Sequence, residues 1–218
     1  MTWTLLLTLL LALQPTAPQK PGVILNAVPD KVDTSARYLF YLHGRIVERG
    51  RRPISEEYGA YEYDQILQTF KAKGFVVISE QRPVGTDVEK YAGKVAGQVR
   101  QLLKAGVPPR NVTLVGASQG SFIAMLASTY LKNRDVNFVI MAGCSAEARF
   151  LEIVDLHGNV LSIYERSDGA GSCEKYRVDA TGLARYQEKE LQTGLRHGFI
   201  YRPIPEWVEP TISWALVQ

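Results

Sequence analysis

Near the middle of the chain stands the stretch Gly116-Ala117-Ser118-Gln119-Gly120, a glycine two residues to either side of a serine. It follows the apolar run Val112-Thr113-Leu114-Val115 and leads into Ser121-Phe122-Ile123-Ala124-Met125, so the pattern predicts a strand, a sharp turn and a helix, with Ser118 on the turn. A turn that tight lifts the hydroxyl above the sheet edge and aims the next backbone N–H at the same point. Glycines flank it because strand and helix approach too closely for side chains. The chemistry served is nucleophilic attack on a carbonyl carbon. The five-residue pattern alone is weak, and a glycine-rich turn with a helix-capping serine would also fit it. The flanking strand and helix favour the nucleophile.

A serine hydroxyl attacks only when a base takes its proton. The chain has three histidines, His43, His157 and His197. In the strand–turn–helix setting the carboxylate and then the histidine follow the serine. His43 lies early and His157 precedes the strand expected to deliver the acid, which leaves His197, in the glycine-flanked segment Thr193-Gly194-Leu195-Arg196-His197-Gly198. The acid is expected just after the strand Val160–Tyr164. Asp168 opens an Asp-Gly loop there, with Glu165 and Glu174 as alternatives and an ordinary turn as the plain reading of Asp168. An oxyanion would be held by the N–H of Gln119, at the start of the helix, and by that of Arg45, after His43-Gly44. The competing reading of His43-Gly44 is a strand-ending turn.

These residues need a frame. Short apolar runs at Val23–Val28, Tyr38–Leu42, Phe75–Ile78, Val112–Val115, Phe138–Met141 and Val160–Tyr164 read as buried strands. Between them, Tyr63, Ile66, Leu67 and Phe70 keep helical spacing up to Gly74, and Ala92, Val95, Ala96, Val99, Leu102 and Leu103 form a second stripe ended by Gly106. Further helices are expected from about Ser118 to Leu131, over Ala146 to Val154, and near Trp207 to Leu216, with Trp207 and Trp214 in its packing. The alternation implies an α/β fold: a mostly parallel central sheet with helices on both faces and its chemistry at the carboxyl ends of the strands.

With His43-Gly44, Gly116-Ala117-Ser118-Gln119-Gly120, Asp168 and His197 in that order, the chain resembles the α/β-hydrolase superfamily from about Val23 to its C-terminus. The resemblance implies Ser118 as nucleophile, Asp168 as acid, His197 as base and the segment after His43 as oxyanion loop. It implies no metal and no organic cofactor. The chain lacks the His-Gly-Gly-Gly loop of one lipase and esterase branch, and the roughly fifteen residues between Cys144 and Val160 leave no room for a cap domain. The expected activity is hydrolysis of small soluble carboxylic esters through an acyl-enzyme. Thioester or peptide cleavage and acyl transfer use the same groups. A non-catalytic binding protein of this fold usually lacks one of the three.

Bulk properties agree. The 218 residues, 46% hydrophobic and 22% charged, fit one globular domain over residues 20–218, and a net charge of +3 is too small to argue for nucleic acid. Residues 1–19 read as a signal peptide. The apolar run from Trp3 to Leu13 is about eleven residues, too short for a span of ~20, although no Lys or Arg precedes it and Pro15 and Pro18 crowd the cleavage region. The alternatives are a core helix or an uncleaved anchor. A secreted or periplasmic protein is expected, with no stable membrane span in the mature chain. In that setting the two cysteines, Cys144 and Cys173, can form a disulfide near the Asp168 loop, or remain buried thiols. Arg45, Arg49, Arg51, Arg52 and Arg82 read either as a basic rim selecting acidic or phosphorylated substrates or as a solvated surface with local ion pairs. Tyr58, Tyr61 and Tyr63 line a cleft or pack in the core.

Overall fold

The computed structural model describes residues 21–144 and 152–216. Seven strands form one sheet: β1 (Val23–Leu25), β2 (Tyr38–Leu42), β5 (Val76–Ile78), β6 (Val112–Ala117), β7 (Asn137–Met141), β8 (His157–Glu165) and β9 (Gly182–Leu191). Their order is β1-β5-β2-β6-β7-β8-β9, and every neighbouring pair is parallel. A small antiparallel hairpin, β3 (Ile54–Ser55) and β4 (Gly59–Ala60), stands apart from the sheet. Parallel neighbours need crossovers. Helices α1 (Tyr63–Ala72), α2 (Val88–Lys104), α3 (Gln119–Leu131) and α4 (Glu174–Val178) lie in these connections, and α5 (Pro205–Leu216) follows the last strand.

The strand alternation divides the core into two layers. Tyr38, Phe40 and Leu42 of β2 join α2 and α3, while Leu39 and Tyr41 join α1 and α5; in β7, Phe138 and Ile140 part from Val139 and Met141 in the same way. Both faces are covered, so the inner strands are continuous apolar runs. Helix α3 is buried from Gly120 through Ser128, which is why its sequence carries no amphipathic stripe. In α2 the stripe is present, and its inner residues Ala92, Val95, Ala96, Val99 and Leu102 are buried.

Two expectations change. Strand β1 stops at Leu25, short of Val28, because its one neighbour, β5, offers a ladder of three residues. A ten-residue edge strand, β9, paired along β8, joins the six strands expected. The helix expected over 146–154 falls largely outside the described residues, and at its described end Glu152 and Ile153 form a turn and Val154 is not helical. The expected signal peptide also lies outside the described residues. Among the described residues no helix is long and apolar enough to cross a membrane.

Because the strands run in parallel, the carboxyl ends of β2, β6, β8 and β9 share one edge of the sheet. The packing there depends on glycine. A Cβ on Gly120 would overlap the carbonyl of Leu42 at the end of β2, and one on Gly116 would overlap the backbone of Gly120. In α2, by contrast, a Cβ on Gly97 meets nothing within 4 Å. Gly120→Ala is therefore expected to lower the unfolding free energy by about 3 kcal/mol or more, and Gly97→Ala to raise it by roughly 0.5–1 kcal/mol. Urea titrations of the two variants beside the parent check both signs.

Candidate active site

Ser118 sits on the turn between β6 and α3 with φ +53° and ψ −118°, a left-side backbone that a side-chain-bearing residue adopts only when its surroundings hold it there. Its N–H donates to Met141 O at 2.8 Å, and its carbonyl accepts the N–H of Ser121 at 2.8 Å. Behind it the buried Ser121 hydroxyl lies 2.9 Å from Gly116 O and 2.7 Å from Met141 O, and accepts the Met141 N–H at 3.1 Å. The turn is thus tied to β7 on one side and to its own helix on the other.

The imidazole of His197 faces this hydroxyl. Its Nε2 is 3.0 Å from Ser118 Oγ, across 79 positions of sequence, and its Nδ1 is 2.8 Å from Asp168 Oδ2. A carboxylate can only accept, so the ring hydrogen belongs on Nδ1, which leaves the Nε2 lone pair toward the serine. The Asp168 side chain is 10% exposed and that of His197 27%, so the carboxylate is shielded while the ring reaches the surface. The sequence-expected Ser118, His197 and Asp168 are therefore brought together.

Glu165, the alternative acid, is buried and does something else. Its Oε2 accepts the N–H and hydroxyl of Thr193 at 2.8 and 2.7 Å, and its Oε1 accepts the hydroxyl of Ser167 at 3.0 Å. Burial alone would raise its pKa, but these hydrogen bonds outweigh burial and hold it below the usual carboxylate range. Ser167 in turn accepts the N–H of Arg196 at 3.3 Å. Glu165 thus fastens the loop carrying Asp168 to the loop carrying His197. Glu174, the other alternative, is exposed and pairs with Arg177. The loop is anchored again at Cys173, which is bonded to Cys144 with Cα atoms 5.1 Å apart.

Across the cleft, the segment after β2 runs as a 3₁₀ turn over Arg45–Arg49. Gly44 has an ordinary extended backbone, φ −69° and ψ 160°. Space does not demand glycine either, since a Cβ there would stand 3.5 Å from Ser118 Cβ, an ordinary contact distance. The cleft holds about 600 Å³ and is walled by Arg45, Ile46, Glu48, Arg49, Tyr61, Val84, Ile200 and Tyr201 around Ser118 and His197. Tyr58 packs near His197, ring centroids 6.3 Å apart, whereas Tyr63 is in the core.

The five arginines do not form one rim. Arg82 is buried, 1% exposed, and its Nη2 donates to His43 O at 2.6 Å and to Gln119 Oε1 at 3.0 Å. Its Nε faces Glu48 Oε1 at 3.7 Å, and Glu48 Oε2 accepts the N–H of Gly85 at 3.0 Å. The Arg82 N–H also donates to His43 Nε2 at 3.0 Å, which puts the ring hydrogen on Nδ1, bonded to Gly44 O at 2.9 Å. Burial first, and the Arg82 charge second, push the pKa of His43 down to about 3, so this ring is neutral. Arg82 and His43 together join the Gly44–Arg45 segment to the turn at Gln119. No motif marks this brace, because Arg82 lies four residues beyond the end of β5. Among the described residues no three His, Cys, Asp or Glu side chains are grouped as metal ligands would be.

No family model matches the sequence, and no curated protein matches it in sequence. Solved structures do match in fold. One from a study of LipS and LipT, two metagenome-derived lipolytic enzymes, is 11% identical with a TM-score of 0.58, covering 83% of this chain and 95% of its own. SOBER1 of Arabidopsis thaliana is 12% identical with a TM-score of 0.54, covering 84% and 100%. A lipase-esterase related protein from Clostridium acetobutylicum is 11% identical with a TM-score of 0.54, covering 84% and 96%. The chain has the α/β-hydrolase fold.

Two outcomes follow from the buried charges. Arg82→Ala strands Glu48 without its cation and is expected to cost about 3–5 kcal/mol, while Arg51→Ala, which breaks the exposed Arg51–Asp64 pair, costs under about 1 kcal/mol. Both are read by urea unfolding. His43 is held neutral when folded but takes a proton below about 6.5 when unfolded, so its contribution is present above that pH and lost as pH falls toward 3. Stability is expected to drop by about 2 kcal/mol between pH 6.5 and 5 from this group, and the drop should shrink in His43→Gln.

Proposed function

We propose that this chain is a serine hydrolase that cleaves carboxylic esters of small soluble molecules through an acyl-enzyme. The observation that carries the reading is the hydrogen-bonded line from Ser118 Oγ through His197 to Asp168, at 3.0 and 2.8 Å, opening onto a cleft. Ser118 attacks the ester carbonyl as His197 Nε2 takes its proton, and Asp168 holds the ring in the needed tautomer and balances the imidazolium. The backbone N–H groups of Gln119 and Arg45 receive the oxyanion. The tetrahedral adduct collapses, the C–O bond to the alcohol breaks, and His197 returns the proton to the leaving oxygen. Water then repeats the sequence on the acyl-enzyme, with His197 as base, and frees Ser118. None of these steps uses a metal or an organic cofactor.

The fold supports the reading, since lipolytic enzymes are built on it. The Cys144–Cys173 bridge supports export, because such bonds persist outside the reducing cytosol. The expected kinetics follow from the roles. Ser118→Ala abolishes turnover of p-nitrophenyl butyrate, and Asp168→Asn lowers kcat on the order of 10³–10⁴-fold with KM little changed. Stopped or continuous assays at 405 nm measure both. Full activity in Ser118→Ala removes the proposal.

A further inference from the structure

We propose that the preferred ester carries a carboxylate as well as the scissile bond, and that Arg45 and Arg49 select it; this rests on the hydrolase reading above. The structure sorts the arginines near the cleft. Arg51 pairs with Asp64 and lies 4.8 Å over the Tyr63 ring, Arg52 pairs with Glu62, and Arg196 pairs with Glu57. Arg82 is buried against Glu48. Arg45 and Arg49 are exposed, line the cleft that holds Ser118, and form no ion pair with a carboxylate among the described residues. The carboxylates nearest the chemistry cannot serve them. Glu48 has its side chain 2% exposed and committed to Arg82 and the Gly85 N–H, and Asp168 is committed to His197. The uncompensated charge on this wall is therefore positive.

Beside them the wall carries apolar surface from Ile46, Ile200 and a Val84 that is 72% exposed. A concave site with such walls focuses the field of the two cations on an entering ligand. A guanidinium fork matches a carboxylate with two parallel hydrogen bonds. The N–H proposed for the oxyanion belongs to Arg45 as well, so the substrate carboxylate docks on the wall that receives the reacting carbonyl.

Four esters test this, in pairs that separate a carboxylate on the acid part from one on the alcohol part: p-nitrophenyl hemiadipate against p-nitrophenyl hexanoate, and 3-(hexanoyloxy)benzoate against phenyl hexanoate. The members of each pair match in acyl length and have leaving groups of equal or nearly equal basicity. At low salt, kcat/KM for at least one anionic ester is expected to exceed that of its neutral partner about tenfold, the scale of one charge-assisted hydrogen bond. Arg45→Gln and Arg49→Gln should each cut that ratio severalfold, and about 0.5 M NaCl should cut it in the parent. Neutral esters turned over as well as both anionic ones, or a ratio that neither variant moves, overturns the selection. If that turnover is still lost in Ser118→Ala, the hydrolase reading stands without it. No turnover of any of the four esters removes both.

Discussion

A hydroxyl becomes a nucleophile only where a base is held within hydrogen-bond distance in the right tautomer, and the site depends on meeting that condition across 79 residues of chain. Ser118 belongs to the turn after β6 and His197 to the loop after β9, with β7 and β8 between those strands in the sheet. Parallel pairing puts both connections on one edge. It fixes their separation only as well as the loops are fixed, and the loops are fixed by polar ties. Glu165 joins the end of β8 to Thr193, Ser121 joins the serine turn to β7, and the Cys144–Cys173 bond anchors the far side of the Asp168 loop. The two hydrogen-bonded ties also satisfy groups that would be costly to bury alone.

The charged groups around the cleft follow one rule. Those behind the walls are committed to partners, and those facing the opening include Arg45 and Arg49. Arg82 is the extreme case, a buried cation that spends one nitrogen on the carbonyl of His43 and the amide of Gln119. It holds together the two segments whose N–H groups are proposed to receive the oxyanion, although neither segment is near it in sequence. A neutral His43 is what makes this possible, because a second buried cation beside Arg82 would repel it.

Much of this was legible in the residues. The inner strands are buried on both faces, so they stand out as apolar runs, and the Ser118 turn announces itself through Gly116 and Gly120, which the packing shows cannot carry side chains. The strand order singled out His197 and narrowed the acid to Asp168, Glu165 and Glu174. Strand β9 was illegible because Gly182–Leu191 is half-exposed and carries Arg185, Glu188, Lys189 and Glu190, charges that suit an edge and erase the apolar signal. Arg82 was misread as surface because burial of a cation is decided by its neighbours, here Glu48 and His43, and not by its own segment. Glu165 and Asp168 sit three residues apart, and only the positions of Thr193 and His197 tell which carboxylate supports the loop and which the ring.

The central claim is that His197 activates Ser118 in the resting protein. Labelling with a fluorophosphonate, followed by intact-mass and peptide mapping, measures this most directly. The account predicts one adduct per chain, on Ser118, forming slowly or not at all in His197→Ala. An adduct on another residue, or equal labelling rates with and without the imidazole, would contradict it.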